Sequence, residues 1–413
     1  MATRPKLLII GSVWPEPNSS AAGSRMMQLI EVFATNNYQI TFASATADSD
    51  FAINLADYGI DKFAIKLNHH SFDDFIKNLN PTVVLFDRFM TEEQYGWRVN
   101  EACPRALKIL DTEDLHCLRT ARQNAWKEKR EFQTEDLLNE EVAKREIASV
   151  LRCDLSLIIS TFEMELLTAV FKIDNSLLLY LPFMLKEISV AEIQTLPDYA
   201  KREHFISIGN FLHEPNWQSV LHLKNNIWPL IKKQLPKAEV HIYGAYPSQK
   251  VLQLNNKKDA FLIKGRAENV SSVMQKAKVC LAPLLFGAGL KGKLIDAMQN
   301  GTPNVTTAIG AEAMHQNLDW SGIIADEPED FAKAAVQLYQ NEEKWLDAQK
   351  NGFKIINEVY PKGYYANLFT QKVNSLLADI DNHRKNNFYG AMLQHHTLNS
   401  TKYMAKWIEE KNK

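Results

Sequence analysis

The sequence predicts an α/β protein of two doubly wound domains, and three observations carry that prediction. Short apolar runs of the buried-strand type alternate with helical stretches along most of the chain. The segment Leu7–Asn18, LLIIGSVWPEPN, returns loosely at Phe205–Asn216 as FISIGNFLHEPN. Gly11 is answered there by Gly209, and Glu16-Pro17-Asn18 by Glu214-Pro215-Asn216. A length of 413 residues suits two domains better than one.

In chain order, the first strand spans Lys6–Ile10 and ends at Gly11. A loop rich in Pro, Ser, Ala and Gly runs to Arg25, where an amphipathic helix to Thr35 begins. Gln39–Ser44 is the next strand, and Phe63–Leu67, Thr82–Phe86, Ala106–Leu110 and Leu155–Ser160 are further short apolar runs. The charged region Leu115–Leu151 reads as helix with a solvated face. The second series runs Phe205–Ile208, Glu239–Tyr243, Phe261–Lys264, Val279–Pro283, Asn304–Thr307 and Gly322–Ala325. The boundary between the halves falls from Leu181 to about Arg202, and only helical patterns follow Glu342. In the tail, the spacing of Tyr403, Met404, Trp407 and Ile408 predicts one buried face on the last helix.

Composition narrows the class. The 47 basic residues nearly balance the 49 acids, so a net charge of -2 gives no general attraction to nucleic acid or anionic membrane. Four scattered cysteines, Cys103, Cys117, Cys153 and Cys280, form no CxxC pair and read as buried, reduced thiols of a cytoplasmic protein. Leu7-Leu8-Ile9-Ile10 is too short for a signal-peptide core, and no run has the ~18–20 apolar residues of a spanning helix.

The most informative stretch is Val279–Met314. A buried-type strand leads into Gly287-Ala288-Gly289-Leu290-Lys291-Gly292-Lys293, and a helix follows with Leu290, Leu294, Ala297 and Met298 on one face. Gly301 and Pro303 end that helix. Glycines let backbone N–H groups approach a ligand, a helix N-terminus favours an anion, and Lys291 and Lys293 can neutralise a diphosphate. Asp296 shares a helix face with Lys293, so it can either accept from ribose hydroxyls or form a surface ion pair with Lys293. A second cluster, Asp111-Thr112-Glu113-Asp114-Leu115-His116-Cys117-Leu118-Arg119, follows an apolar run at a carboxyl strand end, where α/β proteins place ligands. A carboxylate beside His116 is expected to orient the ring and raise its pKa. Ser160-Thr161-Phe162-Glu163 stands at another strand end, where a hydroxyl can cap the next helix. Asp87-Arg88 follows the run Thr82–Phe86.

The run Gly287–Glu312 resembles the donor-binding signature of the retaining GT-B glycosyltransferases of family 4, and the resemblance extends over most of the chain. It implies two facing Rossmann-like domains with a cleft between them. The N-terminal, acceptor-side domain would span 1–185 and be completed by a returning helix at 386–413. The nucleotide-sugar domain would span 186–385. The implied reaction moves a sugar from a nucleotide diphospho-sugar to an acceptor hydroxyl with retention, without metal or prosthetic group. Donor contacts fall on Asn210, Arg266, Gly287, Ala288, Gly289, Lys291, Lys293 and Asp296. Asp296 stands at the family's ribose-binding glutamate, Ala288 at a second glutamate eight residues earlier, and Asn210 at a common arginine. His116, Lys291 and Lys293 would be catalytic, and Gly23, Arg25, Asp87, Arg88, Asp114 and Glu163 would face the acceptor or the cleft.

The donor would be UDP-, GDP- or ADP-linked. The acceptor would be a glycan, a small molecule or a lipid-linked sugar; the last entails weak peripheral contact with a membrane. Sequence leaves base, sugar, acceptor and oligomeric state open. It also leaves two alternatives: a nucleotide-sugar 2-epimerase of the same fold, and a catalytically silent nucleotide-binding relative. An Asp111–Glu113 metal pair is disfavoured, because lysines can supply the counter-charge.

Overall fold

The computed structural model describes residues 4–412, with the side chains of 397 and 398 set aside. Two parallel sheets form the two halves. The first contains β1 (Lys6–Gly11), β2 (Gln39–Ser44), β3 (Asp61–Ala64), β4 (Val83–Asp87), β5 (Leu107–Asp111), β6 (Leu155–Ile158) and β7 (Leu178–Tyr180) in the order β3-β2-β1-β4-β5-β6-β7. The second contains β8 (Phe205–Ile208), β9 (Val240–Tyr243), β10 (Phe261–Gly265), β11 (Val279–Ala282), β12 (Asn304–Thr306) and β13 (Gly322–Ile324) in the order β10-β9-β8-β11-β12-β13.

The central strands are continuous apolar runs because helices cover both faces of each sheet. Leu7, Leu8, Ile9 and Ile10 are all fully buried. Leu8 and Ile10 enter one core, packed with Phe86, Val99 and Leu118; Leu7 and Ile9 enter the opposite one, packed with Leu29, Phe33 and Phe369. Each such side chain stabilises the fold by ~1.5–3 kcal/mol through burial. Strand order reverses between β1 and β4 in the first sheet and between β8 and β11 in the second. Those switch points open crevices at the carboxyl strand ends.

The chain crosses between the halves twice, side by side. Leu185 pairs in parallel with Pro361; its N–H donates to Tyr360 O at 2.9 Å, and Lys362 N–H donates to Leu185 O at 2.9 Å. The return therefore occurs at Pro361 and not near 386. Helix Lys362–Ala378 sets Tyr365, Phe369, Val373 and Leu376 against the N-terminal core, so residues 362–385 pack with the first half. Residues 1–3 and 413 of the expected bounds lie outside the described residues.

Three local expectations are corrected. The first helix begins at Ala21 rather than Arg25, because the Ser20 hydroxyl caps it by accepting from Gly23 N–H. Ser160 sits at the start of helix Thr161–Glu165, but its side chain makes no capping bond. The last helix, Phe388–Lys411, does pack on the first half, through Ala405 on Trp97, Gln394 on Arg152 O and Glu409 on His70 N–H. Its aromatic face is not the buried one: Tyr403, Met404 and Trp407 are 66%, 58% and 59% exposed. The four cysteines are buried and unpaired.

Candidate functional site

The two switch points face each other across a cavity of ≈ 820 Å³. On its C-terminal side, Gly289 takes φ +63°, and a Cβ there would stand 2.8 Å from Asp114 Cβ of the opposite domain. Only glycine allows that approach. Helix Gly292–Gln299 follows, with Lys291 at its N-cap. Lys291 Nζ donates to the carbonyls of Gly289 (2.6 Å) and Ala288 (3.3 Å), folding the loop around itself. Lys293 Nζ donates to Asn216 Oδ1 at 2.7 Å and lies 3.0 Å from where a Gly209 Cβ would be. Burial lowers both ammonium groups to about 8. The alternative Lys293–Asp296 ion pair does not form. Asp296 lines the cavity without a side-chain hydrogen bond among the described residues, and burial raises it to about 7.

Asn210 also lines the cavity but shapes its own turn. Its Oδ1 accepts from Leu212 N–H at 2.9 Å, and its carbonyl accepts from Asn216 Nδ2 at 2.9 Å. Arg266 follows Gly265, which has φ +73°, and reaches across the rim. Its Nε donates to Ser19 Oγ at 3.2 Å and its guanidinium lies 4.4 Å from the Phe51 ring centroid.

On the N-terminal side, Arg88, Asp114, His116 and Arg119 line the cavity. Asp114 bonds Arg119 and stands 3.6 Å from His116 Nε2. Burial alone would raise the Asp114 carboxyl, but Arg119, His116 and His213 hold it below its ordinary value. The expected rise at His116 is reversed. Burial, aided by Arg119 and Arg88, outweighs Asp114 and lowers the imidazole to about 4. His116 is thus neutral near pH 7, as is His213 on the opposite wall, lowered to about 4 by burial and Arg119.

Four sequence-predicted cleft residues stand elsewhere. Arg25 is fully buried; it donates to Asp111 Oδ1 at 3.0 Å and to Leu181 O at 2.7 Å. It buttresses the floor and does not line the cavity. Gly23 lies behind the helix start, where a Cβ would meet the Glu16 carbonyl at 2.5 Å. Asp87 sits below the surface, accepting from Ser12 N–H at 3.0 Å and Arg88 at 3.1 Å. Glu163 is fully buried, and its Oε1 accepts from Leu115 N–H (3.0 Å) and Gly289 N–H (2.9 Å), one from each domain.

Apart from Glu163, the sequence reading missed the residues that join the walls. Arg122 grips Glu312 with two bonds, 2.9 and 2.6 Å, and donates to Gly287 O at 2.8 Å. At the other rim, Tyr246 Oη donates to Glu16 Oε1 at 2.7 Å. His213 and Asn216 were readable in principle, because they lie in the repeated GNFLHEPN segment.

This arrangement is that of a GT-B glycosyltransferase fold, and residues 202–341 match the family described as glycosyl transferases group 1. Sucrose-phosphate synthase from Thermosynechococcus elongatus superposes with a TM-score of 0.68 at 15% identity, covering 91% of this chain and 100% of that one. HepE of Anabaena, solved with UDP and glucose, gives 0.65 at 10% identity, covering 90% and 100%. An uncharacterized 44.6 kDa protein in the cps region of Klebsiella pneumoniae is 26% identical over 174 residues, which is 40% of this chain. The match spans only 44% of that relative's length.

Proposed function

We propose that this chain transfers a sugar from a nucleotide diphospho-sugar to an acceptor hydroxyl, with retention at the anomeric carbon. The observation that carries this reading is the convergence of Lys291, Lys293 and the N-terminus of helix Gly292–Gln299 beside Gly209 at the second switch point. A leaving diphosphate placed there meets two cations and free backbone N–H groups. Asp296 lies one turn further, where its free carboxylate accepts from ribose hydroxyls, and Arg266 flanks the base. Bond cleavage between the anomeric carbon and the diphosphate oxygen leaves negative charge on the diphosphate, and the lysines stabilise it. Neutral His116, opposite, hydrogen-bonds the transferred sugar without adding charge. A donor such as UDP-glucose agrees with the ligands of HepE.

The test is a thermal-shift panel of UDP, GDP, ADP and their sugars. A nucleotide at ~100 times its dissociation constant stabilises by ~2.7 kcal/mol. Lys293→Ala should abolish that shift and turnover while leaving the unliganded melting temperature nearly unchanged. A panel without any shift, or full activity in the variant, overturns the reading. Conversion of donor without acceptor would identify an epimerase instead.

A further inference from the structure

Three carboxyl groups and two guanidinium groups meet where β4 and β5 end. Asp111 is bound by Arg25 at 3.0 Å, and Asp87 by Ser12 and Arg88. Glu113 has no side-chain partner among the described residues, and its Oε1 is buried. It nevertheless lines the cavity, next to Arg88, Asp114 and His116. Glu113 and Arg88 both adopt left-handed backbone, φ +62° and +70°. Non-glycine residues hold that conformation only at an energetic cost, and such strain concentrates at functional sites.

We propose that Glu113 is the acceptor-recognition group, its unpaired carboxyl hydrogen-bonding hydroxyls of an uncharged polyhydroxylated acceptor. This rests on the glycosyl-transfer reading and narrows its acceptor class. The charges of the wall support it. With Glu113 neutral, Asp87, Asp111 and Asp114 balance Arg25, Arg88 and Arg119, and His116 is uncharged. An ionised Glu113 would be a fourth anion against those three cations, without a hydrogen bond to hold it. Burial and the adjacent Asp111 push its carboxyl well above its ordinary value, against the opposing pull of Arg88 and Arg25. The opposite wall keeps Lys291 and Lys293 for the diphosphate, and among the described residues the cations of the acceptor side, Arg88 and Arg119, are already paired with Asp87 and Asp114, so a phosphorylated or carboxylated acceptor meets no unpaired cation there.

The test compares full-length wild type with Glu113→Gln and Glu113→Ala. Thermal shifts with UDP, GDP and ADP come first and should be the same in all three. Loss of nucleotide binding in wild type would count against the transferase reading, whereas loss only in the variants would place Glu113 on the donor side and overturn this proposal. Nucleotide release from the matching donor is then followed with alkyl glycosides and with sugar phosphates and uronates of the same sugars. Neutral acceptors should be used in preference. Glu113→Ala should raise acceptor KM about tenfold, the loss of one to two hydrogen bonds, and Glu113→Gln should stay close to wild type. A preference for charged acceptors, or an unchanged KM in Glu113→Ala, overturns the assignment. Ionisation is read separately, without ligand or turnover. The unfolded glutamate loses its proton above pH ~4.3 while the folded one keeps it, so this group costs wild type stability as pH rises, and Glu113→Gln lacks that one contribution. The melting-temperature difference should therefore grow in favour of Glu113→Gln from pH 5 to 8. A difference that is flat across that range means an ionised Glu113, and the proposal fails.

Discussion

The Glu163 carboxyl accepts from the Gly289 amide at 2.9 Å, so a side chain of the N-terminal domain sets the shape of the glycine loop in the other domain. The same oxygen takes Leu115 N–H at 3.0 Å, just before His116. One buried atom thus registers both walls of the cleft. Burial, with Asp114 nearby, raises Glu163 to about 8, so near pH 7 it accepts largely as a neutral acid. Glu163→Gln should keep the amide bonds and nucleotide affinity. Glu163→Ala leaves two buried N–H groups unpaired, at ~1–3 kcal/mol each. Denaturant unfolding should show that loss, and calorimetric titration should show at least about tenfold weaker nucleotide binding. Equal affinity in both variants would remove the registering role.

On the proposed donor reading, Asp296 should make nucleotide binding pH-dependent. Its folded pKa, raised to about 7, lies above an unfolded value near ~3.9. The folded state therefore holds the extra proton, and stability falls as pH rises from about 4 to 7 and then levels. Ribose hydroxyls favour the ionised form, so nucleotide affinity should increase through pH 7. Asp296→Asn should be the more stable protein at pH 8, bind nucleotide more weakly, and lose the affinity step. Calorimetry at pH 6, 7 and 8 checks both signs.

Arg25 and Asp111 form a fully buried ion pair. Removing one partner leaves an uncompensated charge, so Arg25→Met or Asp111→Asn should destabilise by ~3–5 kcal/mol in denaturant unfolding. A loss below about 1 kcal/mol would mean that Leu181 O and the surrounding groups suffice without the pair.

Arg122 and Glu312 close the rim over the glycine loop 287–293. Glu312→Gln removes the paired charge, and Arg122→Lys loses the two-pronged geometry. Both should speed hydrogen exchange of the amides in 287–293 several-fold in the nucleotide-free protein, with little change in global unfolding. Unchanged exchange would show that Glu163 alone holds the loop.

The central strands were legible because burial on both faces writes them as unbroken apolar runs: Leu7–Ile10 and Val279–Ala282 lie within predicted segments. The edge strands of the second sheet, β10 and β13, were expected where they stand, but those of the first sheet were not. All four residues of β3, Asp61–Ala64, are exposed, and the apolar signal displaced the expectation to Phe63–Leu67. Three-residue β7 carried no signal above its surroundings. The glycine loop of the cavity wall was legible because its glycines and lysines are contiguous. The bonds that Glu163 and Arg122 make to the other wall were not, because their partners lie 126 and 190 residues away, although Glu163 itself was placed at the cleft. Tertiary desolvation also reversed the expected direction at His116, since sequence shows the neighbouring carboxylate but not the burial. The tail misled for a related reason: the small Ala405, not the aromatic stripe, meets Trp97.

The paired crossing at Leu185 and Pro361 has a mechanical consequence. A single linker lets two bodies swivel, slide and bend. Two segments laced by amide bonds on both sides of Leu185 form a ribbon, which bends readily across its width but resists shear and torsion. Relative motion of the halves is thereby reduced to nearly one degree of freedom, like the spine of a book. Any opening of the cleft would then return Gly289 to Glu163 and Arg122 to Glu312 in the same register. The molecule need not search for its closed alignment, and the entropy of that search is removed once, at folding, instead of on every catalytic cycle.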